Sequence, residues 1–456
     1  MELSLSEISK AIGAKADPFE DLKIRAVSTD SRITSKDAIF FAIKGERHDG
    51  HNFLWEAYQN GCISAVVEYM PPSPPPIPLL QVNNTTEALG VLANYYRSKF
   101  SILSIGVTGS TGKTTTKEML AHILLAKYEV LKTESNFNNE IGVPLTIFKL
   151  EESHSALVVE MAMRGKGQIK WLAYIAKPQI GIITNIGPAH LEFFQSIEEI
   201  AEAKAELLEA LPPDGTAVLN ADDRFFPFLR EKTTCQIITF GMSPTADVFC
   251  EIMDKKDYHL LRVRTPKGSF TIPSFLQGEH NIMNLLCAIA ASLSAGLDLQ
   301  EIERQIPTLP LPPMRLQQIN LAKNIILIND SYNSNPLSLR AALDFLKEKT
   351  GRKIAVLGDM LELGKESEKL HYEAGKWVKE ADVSFLLAIG DKARYIAEGA
   401  IANGLSSERV LCFSTKEEAL KALQELLQEG DVILVKGSRK LQLEQIVEEL
   451  KKCYIS

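Results

Sequence analysis

The residues with the clearest chemical potential lie in one stretch, positions 106–116, which reads GVTGSTGKTTT. Gly109 and Gly112, followed at once by Lys113 and Thr114, are the parts of a phosphate-binding loop. In such a loop, backbone N–H groups and a helix N-terminus surround an anion, the lysine reaches the terminal phosphates, and the hydroxyl is available to Mg²⁺. Gly109, Ser110, Thr111, Gly112, Lys113, Thr114 and Thr115 are therefore expected to hold nucleotide phosphates. The strict G-x-x-x-x-G-K-[ST] pattern is missed by one place, because Val107 stands where the first glycine belongs and Gly106 precedes it. Two more groups sit where a metal would need them. Glu160 ends the apolar run 156–159 and His190 follows the run 180–187, so each is a candidate Mg²⁺ ligand, directly or through water.

A third group is anomalous by periodicity. Ile197, Ile200, Ala201, Leu208 and Leu211 form one apolar stripe of a helix, and position 204, seven residues from either end of that stripe, shares its face. That position is lysine. A lysine on a buried stripe must snorkel to solvent, pair with an acid, or give up its proton, since an unpaired ammonium in low dielectric costs several kcal/mol. In the last case Lys204 is left with a nucleophilic amine able to take up CO₂.

The elements that must position these groups alternate strand and helix. The apolar run 101–105 reads as a buried strand before the loop, and Met119, Leu120, Ile123 and Leu124 repeat at helical spacing after it, predicting a helix over 117–127. Residues 99–311 continue as a mostly parallel α/β domain, in which ligands gather at the carboxyl ends of strands. Residues 277–284 read QGEHNIMN and open a helix, where His280, Asn281 and Asn284 either cap it or meet a ligand. Four prolines within 307–313 suggest an interdomain linker, with Arg315 just beyond it. Residues 312–456 then read as a Rossmann-like, doubly wound domain whose strands end at Asp330, Gly358, Gly390 and Lys436, without a G-x-G-x-x-G dinucleotide signature. The segment 330–336, DSYNSNP, is polar and aromatic and lies at a strand's carboxyl end, as a ligand loop would. Residues 1–98 carry no nucleotide loop. They begin with a helix over 3–12 and include a loop, 44–52, that packs two glycines and two histidines among charged residues. Three α/β domains, 1–98, 99–311 and 312–456, are expected.

Composition bounds the function. With 456 residues, 45% of them hydrophobic, the chain can bury more than one core, and a net charge of −8 with both signs interspersed argues against a nucleic-acid surface. Six cysteines without a C-x-x-C pair suit a reducing compartment, and no apolar run is long enough for membrane insertion. A cytoplasmic monomer is expected. A kinase or GTPase would need no amine substrate, and a guanine-reading Asn-Lys-x-Asp is absent; a non-catalytic nucleotide module would have little use for Glu160, His190 and Lys204 together.

In this order and company the motifs resemble the Mur ligase family, through all three segments. The loop 108–115, the run NFNNEIGVP at 136–144, Glu160, His190, Lys204, the run GEHNIMN at 278–284 and Arg315 all take part in the likeness. Residues 330–336 and 358–364 (GDMLELG) are similar to the branch that adds D-alanyl-D-alanine to a UDP-N-acetylmuramoyl-tripeptide, and the Asp-Asn-Pro-Arg of many diaminopimelate-adding ligases is absent. Folylpolyglutamate synthase shares the loop and metal sites, but residues 28–32 and 44–50 resemble the Mur uridine-nucleotide domain. The resemblance implies an ATP-dependent peptide ligase with a small N-terminal α/β uridine-nucleotide domain, a central P-loop ATPase domain and a C-terminal domain that brings the dipeptide. It further implies two Mg²⁺ ions, the first with Thr114 and Glu160 and the second with His190 and a carbamylated Lys204. Lys113, His190 and Lys204 would be catalytic. Asn281 would meet adenine, Arg315 a phosphate or ribose, and Asp330 the ribose hydroxyls. Ser31, Arg32, Lys44, Gly45, Asp49, Gly50, Asn138, Asn139, Tyr332 and Asn333 would meet the UDP-muramoyl and dipeptide substrates.

Overall fold

The structure, a computed structural model, describes residues 1–15, 21–253, 260–273, 276, 278–310 and 312–454. Gln277 of the 277–284 motif and Leu311 of the proline-rich linker lie outside them. Three parallel or mostly parallel sheets divide the chain into three α/β domains, and each is built where β-branched and aliphatic runs alternate with amphipathic helices.

In the N-terminal domain, Ala26–Ser28, Ala38–Phe41, Cys62–Val67 and Leu79–Gln81 form a four-stranded parallel sheet in that order. The helix expected over 3–12 is shorter. Leu3–Ser4 pairs with Lys23–Ile24 as a short antiparallel strand, and Ser4 caps the helix Leu5–Ile12 in a reciprocal box with Glu7, satisfying backbone donors that a continuing helix would have left open. The helix Thr85–Arg97 closes the domain. Its Leu89, Leu92 and Ala93 share one core with Val143, Ile147, Ile169 and Leu172 of the next domain, so the two are joined by packed apolar surface.

The central sheet has nine strands. Leu103–Thr108 lies between Ile180–Ile183 and Ala156–Glu160, parallel to both, with Thr108 level with Ile183 and Val107 level with Glu160. Three adjacent carboxyl ends thus carry the phosphate loop, the 184–190 segment and Glu160. Only the far edge departs from parallel, where Leu260–Thr265 and Gly268–Pro273 add antiparallel. Glu279–Ser294 packs on Lys113–Leu124 over one face, and Ile197–Glu209 covers the other. A fully buried Leu or Ile in these contacts, such as Leu120 or Ile289, contributes roughly 1.5–3 kcal/mol relative to exposure.

In the C-terminal domain five parallel strands run in the order Ile326–Asp330, Val432–Lys436, Lys353–Gly358, Phe385–Ile389, Val410–Phe413, and Gln317–Asn320 joins antiparallel at one edge. Separate apolar clusters lie on its two faces, as double winding requires. Among the described residues no helix is long and apolar enough to cross a membrane.

Candidate active site

The phosphate loop is held by its neighbour strand. Ser110 N–H donates to Asn185 O at 2.9 Å, Ser110 Oγ donates to Gly187 O at 3.0 Å, and Thr111 N–H donates to Asn185 Oδ1 at 3.0 Å. Two glycines are required by contact as well as by conformation. Gly109 (φ +149°) would place a Cβ 1.8 Å from Thr184 Oγ1, and Gly112 (φ +78°) would place one 2.3 Å from Asn284 Oδ1. The helix after the loop starts at Lys113, four residues earlier than its apolar repeat suggested, and has no side-chain cap. Its first-turn N–H groups are therefore available to an anion.

Around this loop the central and C-terminal domains line a cleft of roughly 1480 Å³. Ser110, Thr111, Gly112, Lys113, Thr114, Thr115, Asn138, Asn139, Glu160, His190, Asn281, Arg315, Asp330, Tyr332 and Asn333 all line it. Lys113 Nζ donates to Gly109 O at 2.7 Å; burial lowers its pKa, against the pull of Glu160, and Arg315 lowers it further. Arg315 donates to Thr114 Oγ1 at 3.0 Å and lies 4.3 Å over the Tyr332 ring, so the guanidinium is fixed above the first turn of the helix.

Glu160 fits a hard cation. Its Oε1 accepts from Asn138 Nδ2 at 2.9 Å, while its Oε2 is buried without a partner, which leaves an acceptor that a metal would satisfy. Thr114 offers a hydroxyl in the same cleft. Lys204 is 1% exposed, on the apolar stripe; it does not snorkel, and it finds no acid among the described residues. Its Nζ lies 3.0 Å from Gly109 O, the carbonyl that Lys113 also uses, beneath the loop and outside the cleft lining. Burial, reinforced by Lys113, holds its pKa well below the usual lysine value. The amine is thus pushed toward its neutral form. His190 lies with Nδ1 2.6 Å from Glu362 Oε2, and burial lowers its pKa despite that carboxylate. Among the described residues no three His, Cys, Asp or Glu side chains gather as a metal cluster.

The remaining expectations divide. Asn281 is buried at the cleft, and the helix Glu279–Ser294 begins at Gly278 with no side-chain cap, so capping by His280, Asn281 or Asn284 does not occur. Gly278 at φ +79° makes the turn by backbone alone. Asn139 Oδ1 accepts from Ile141 and Gly142 N–H groups and shapes its own loop. Asp330 is engaged: Oδ2 accepts from Lys436 Nζ at 2.5 Å and Oδ1 from Leu316 N–H at 3.1 Å. Ser31, Arg32, Lys44, Gly45, Asp49 and Gly50 do not reach this cleft. Ser31 Oγ donates to Glu56, Arg32 grips Asp30, and Asp49 meets His51 and Tyr69 within the N-terminal domain. Neither residue type nor spacing marks Glu362 or Lys436, although one lies in the 358–364 motif and the other ends a strand.

Comparison with known proteins agrees with this layout. Residues 107–292 match the Mur ligase middle domain and residues 314–439 the Mur ligase glutamate ligase domain. The UDP-N-acetylmuramoyl-tripeptide–D-alanyl-D-alanine ligase of Bacillus subtilis is 36% identical over 443 residues, covering 96% of each chain. A crystal structure of MurF from Acinetobacter baumannii superposes with a TM-score of 0.91 at 33% identity over 99% of both chains. The MurF ligase of Thermotoga maritima in complex with ADP superposes at 0.82, with 28% identity over 94% of this chain and 97% of that one. With the loop, Glu160, His190 and Arg315 arranged around one interdomain cleft, with Lys204 buried beneath the loop, and with full-length relatives at this identity, the chain belongs to the Mur ligase family, alongside its UDP-N-acetylmuramoyl-tripeptide–D-alanyl-D-alanine ligases.

Proposed function

We propose that this chain joins D-alanyl-D-alanine to a UDP-N-acetylmuramoyl-tripeptide with ATP, in the cytoplasmic assembly of peptidoglycan. The observation that carries the reading is the single cleft shared by the phosphate loop and by the 330–335 loop of the C-terminal domain. A carboxylate at neutral pH is a poor electrophile, so an oxygen of the tripeptide's terminal carboxylate attacks the γ-phosphorus of ATP and the bond to the bridging oxygen of ADP breaks. The dipeptide amine then attacks the acyl carbon, phosphate leaves, and the nitrogen loses a proton to give the amide.

Lys113 and Arg315 place two cations beside the transferring group and offset the repulsion between approaching oxyanions. The uncapped helix N-terminus adds its oriented N–H groups. Mg²⁺ held by Thr114 and Glu160 would supply further neutralisation of phosphate charge. Lys204 is the candidate for a carbamate: its buried, neutral-leaning amine adds CO₂ and loses a proton, and the resulting anion would join His190 at a second ion. Asn281, Asp330, Tyr332 and Asn333 are assigned to ATP and dipeptide recognition by their place on the cleft wall. Ser31, Arg32, Lys44, Gly45, Asp49 and Gly50 are assigned to the UDP end, on the N-terminal domain.

The test is product formation with both substrates, ATP and Mg²⁺, which should release ADP and phosphate and require every component. Release of AMP and pyrophosphate would instead mean adenylation and would overturn the acyl-phosphate route.

A further inference from the structure

Glu362 lies in the turn after the strand Lys353–Gly358, in the C-terminal domain, and His190 lies after Ile180–Ile183 in the central one. Both adopt left-handed backbone, with φ of 63° and 61°. Non-glycine residues rarely do so, and two of them facing one another across a domain boundary show loops held against their local preference.

The turn that carries Glu362 is firmly built. Met360 N–H donates to His371 Nε2 at 2.9 Å, Leu361 N–H donates to Ser438 Oγ at 2.8 Å, and Glu362 O accepts from Glu192 N–H at 3.1 Å across the boundary. His371 is itself fully buried, with Nδ1 2.6 Å from Ser367 O. So supported, the Glu362 carboxylate points at two groups of the central domain: Oε2 is 2.6 Å from His190 Nδ1 and Oε1 is 3.3 Å from Arg164 Nη2.

The hydrogen bond decides the tautomer. An ionised carboxylate only accepts, so in the neutral imidazole the 2.6 Å contact puts the shared proton on His190 Nδ1. Nε2 is then a lone-pair nitrogen, on a ring that lines the cleft, with no hydrogen-bond partner among the described residues. A histidine that ligates a metal is commonly oriented in this way, by a carboxylate on its other nitrogen. The Arg164 contact does not account for the geometry, since it is largely exposed and screened by solvent.

We propose that Glu362 is a positioning residue: delivered by the C-terminal domain, it holds His190 as the Nδ1–H tautomer with Nε2 turned to the cleft, so the central site is complete only when the two domains are docked. Its consequence for turnover rests on the ligase reading; the tautomer does not.

The experiment is a long-range ¹H–¹⁵N spectrum of the full chain without nucleotide, metal or substrates, with the His190 ring assigned by its loss in His190→Asn. Wild type should show a protonated Nδ1 and a bare Nε2, and Glu362→Ala should show a mixture of the two tautomers. In turnover assays, Glu362→Ala should lower kcat by about ten- to a hundredfold. Glu362→Gln, which keeps the volume and an acceptor oxygen, should recover part of the loss. In a His190→Asn background either substitution should cost less than about twofold, because the residue acts through the histidine. An unchanged tautomer in Glu362→Ala would overturn the proposal whatever reaction the chain performs. So would an undiminished kinetic loss in the His190→Asn background.

Discussion

Two lysines in different domains face the same physical problem and solve it differently. Lys436, at the end of the strand Val432–Lys436, is 2% exposed, and the parallel register sets it beside Asp330, whose carboxylate accepts from it at 2.5 Å. Lys204, on the helix Ile197–Glu209, is 1% exposed and among the described residues donates only to the Gly109 carbonyl, with the second cation Lys113 on the same oxygen. Burial lowers both pKa values, but Asp330 pulls against that at Lys436, whereas Lys113 adds to it at Lys204. A buried lysine with an acid is an ion-pair strut; one without an acid is a stored amine. The difference separates a residue that holds the cleft wall from one whose amine has no carboxylate beside it, among the described residues, to keep its proton.

The largest expected effect tests the carbonyl that Lys113 and Lys204 share. Lys113→Ala removes the loop cation assigned above to the ATP phosphates and should lower turnover by about 10³- to 10⁵-fold, the range seen when a phosphate-stabilising cation is lost. Melting should change little, because Lys113 opens a helix whose apolar face stays packed. Activity within a few-fold of wild type would mean that the phosphates do not sit on this loop.

Lys204 comes next. Lys204→Ala should remain folded yet lose on the order of 10³-fold in turnover, with partial recovery by formate or acetate if a carbamate is the working form. Lys204→Arg should fail equally, since guanidinium keeps its charge and cannot take up CO₂. Near-normal activity in Lys204→Arg would make the residue a packing element and erase its contrast with Lys436.

The pair in the C-terminal domain should report in stability. Lys436→Ala leaves the Asp330 carboxylate nearly buried without its counter-charge, and should cost about 3–5 kcal/mol by chemical denaturation. Adding Asp330→Asn to Lys436→Met should return most of that, because it removes the buried charge that loss of the lysine leaves uncompensated. Equal losses in the single and double variants would show that the pair is not a unit.

What could be read in advance follows from how local each feature is. The phosphate loop, its strand and its lysine are contiguous, and the Lys204 anomaly needs only helical periodicity within one element, so both were legible. The early start of the helix at Lys113 was hidden by Thr114, Thr115 and Thr116, β-branched residues of modest helix propensity that tertiary packing overrides. Glu362 and Lys436 were not legible, because their partners lie 172 and 106 residues away and become neighbours only through the fold. In the 44–52 loop, composition shows two histidines and an aspartate but not that His51 is buried against Tyr69 and hydrogen-bonded to Asp49, because Tyr69 lies outside the loop.

The smallest effect separates the two lysines by pH. Because the Lys204 pKa in the folded protein lies well below 10.5, there is a window between that lowered value and 10.5 in which the unfolded chain holds the proton and the folded one does not. Stability rises with pH wherever the unfolded state binds more protons, so this residue makes the protein gain about 1.4 kcal/mol per pH unit across the window, a gain lost as pH falls through the folded value. Lys204→Met removes the titration and keeps the apolar stem. Denaturation of both proteins between pH 7 and 9.5, in buffer freed of CO₂ so that no carbamate forms, should therefore give stabilities that diverge, with wild type gaining on the variant as pH rises. Lys113 and Lys436 are present in both proteins, so their titrations largely cancel in the difference. Parallel curves would mean that Lys204 keeps its proton when folded, and the amine would then lack the lone pair that CO₂ uptake requires.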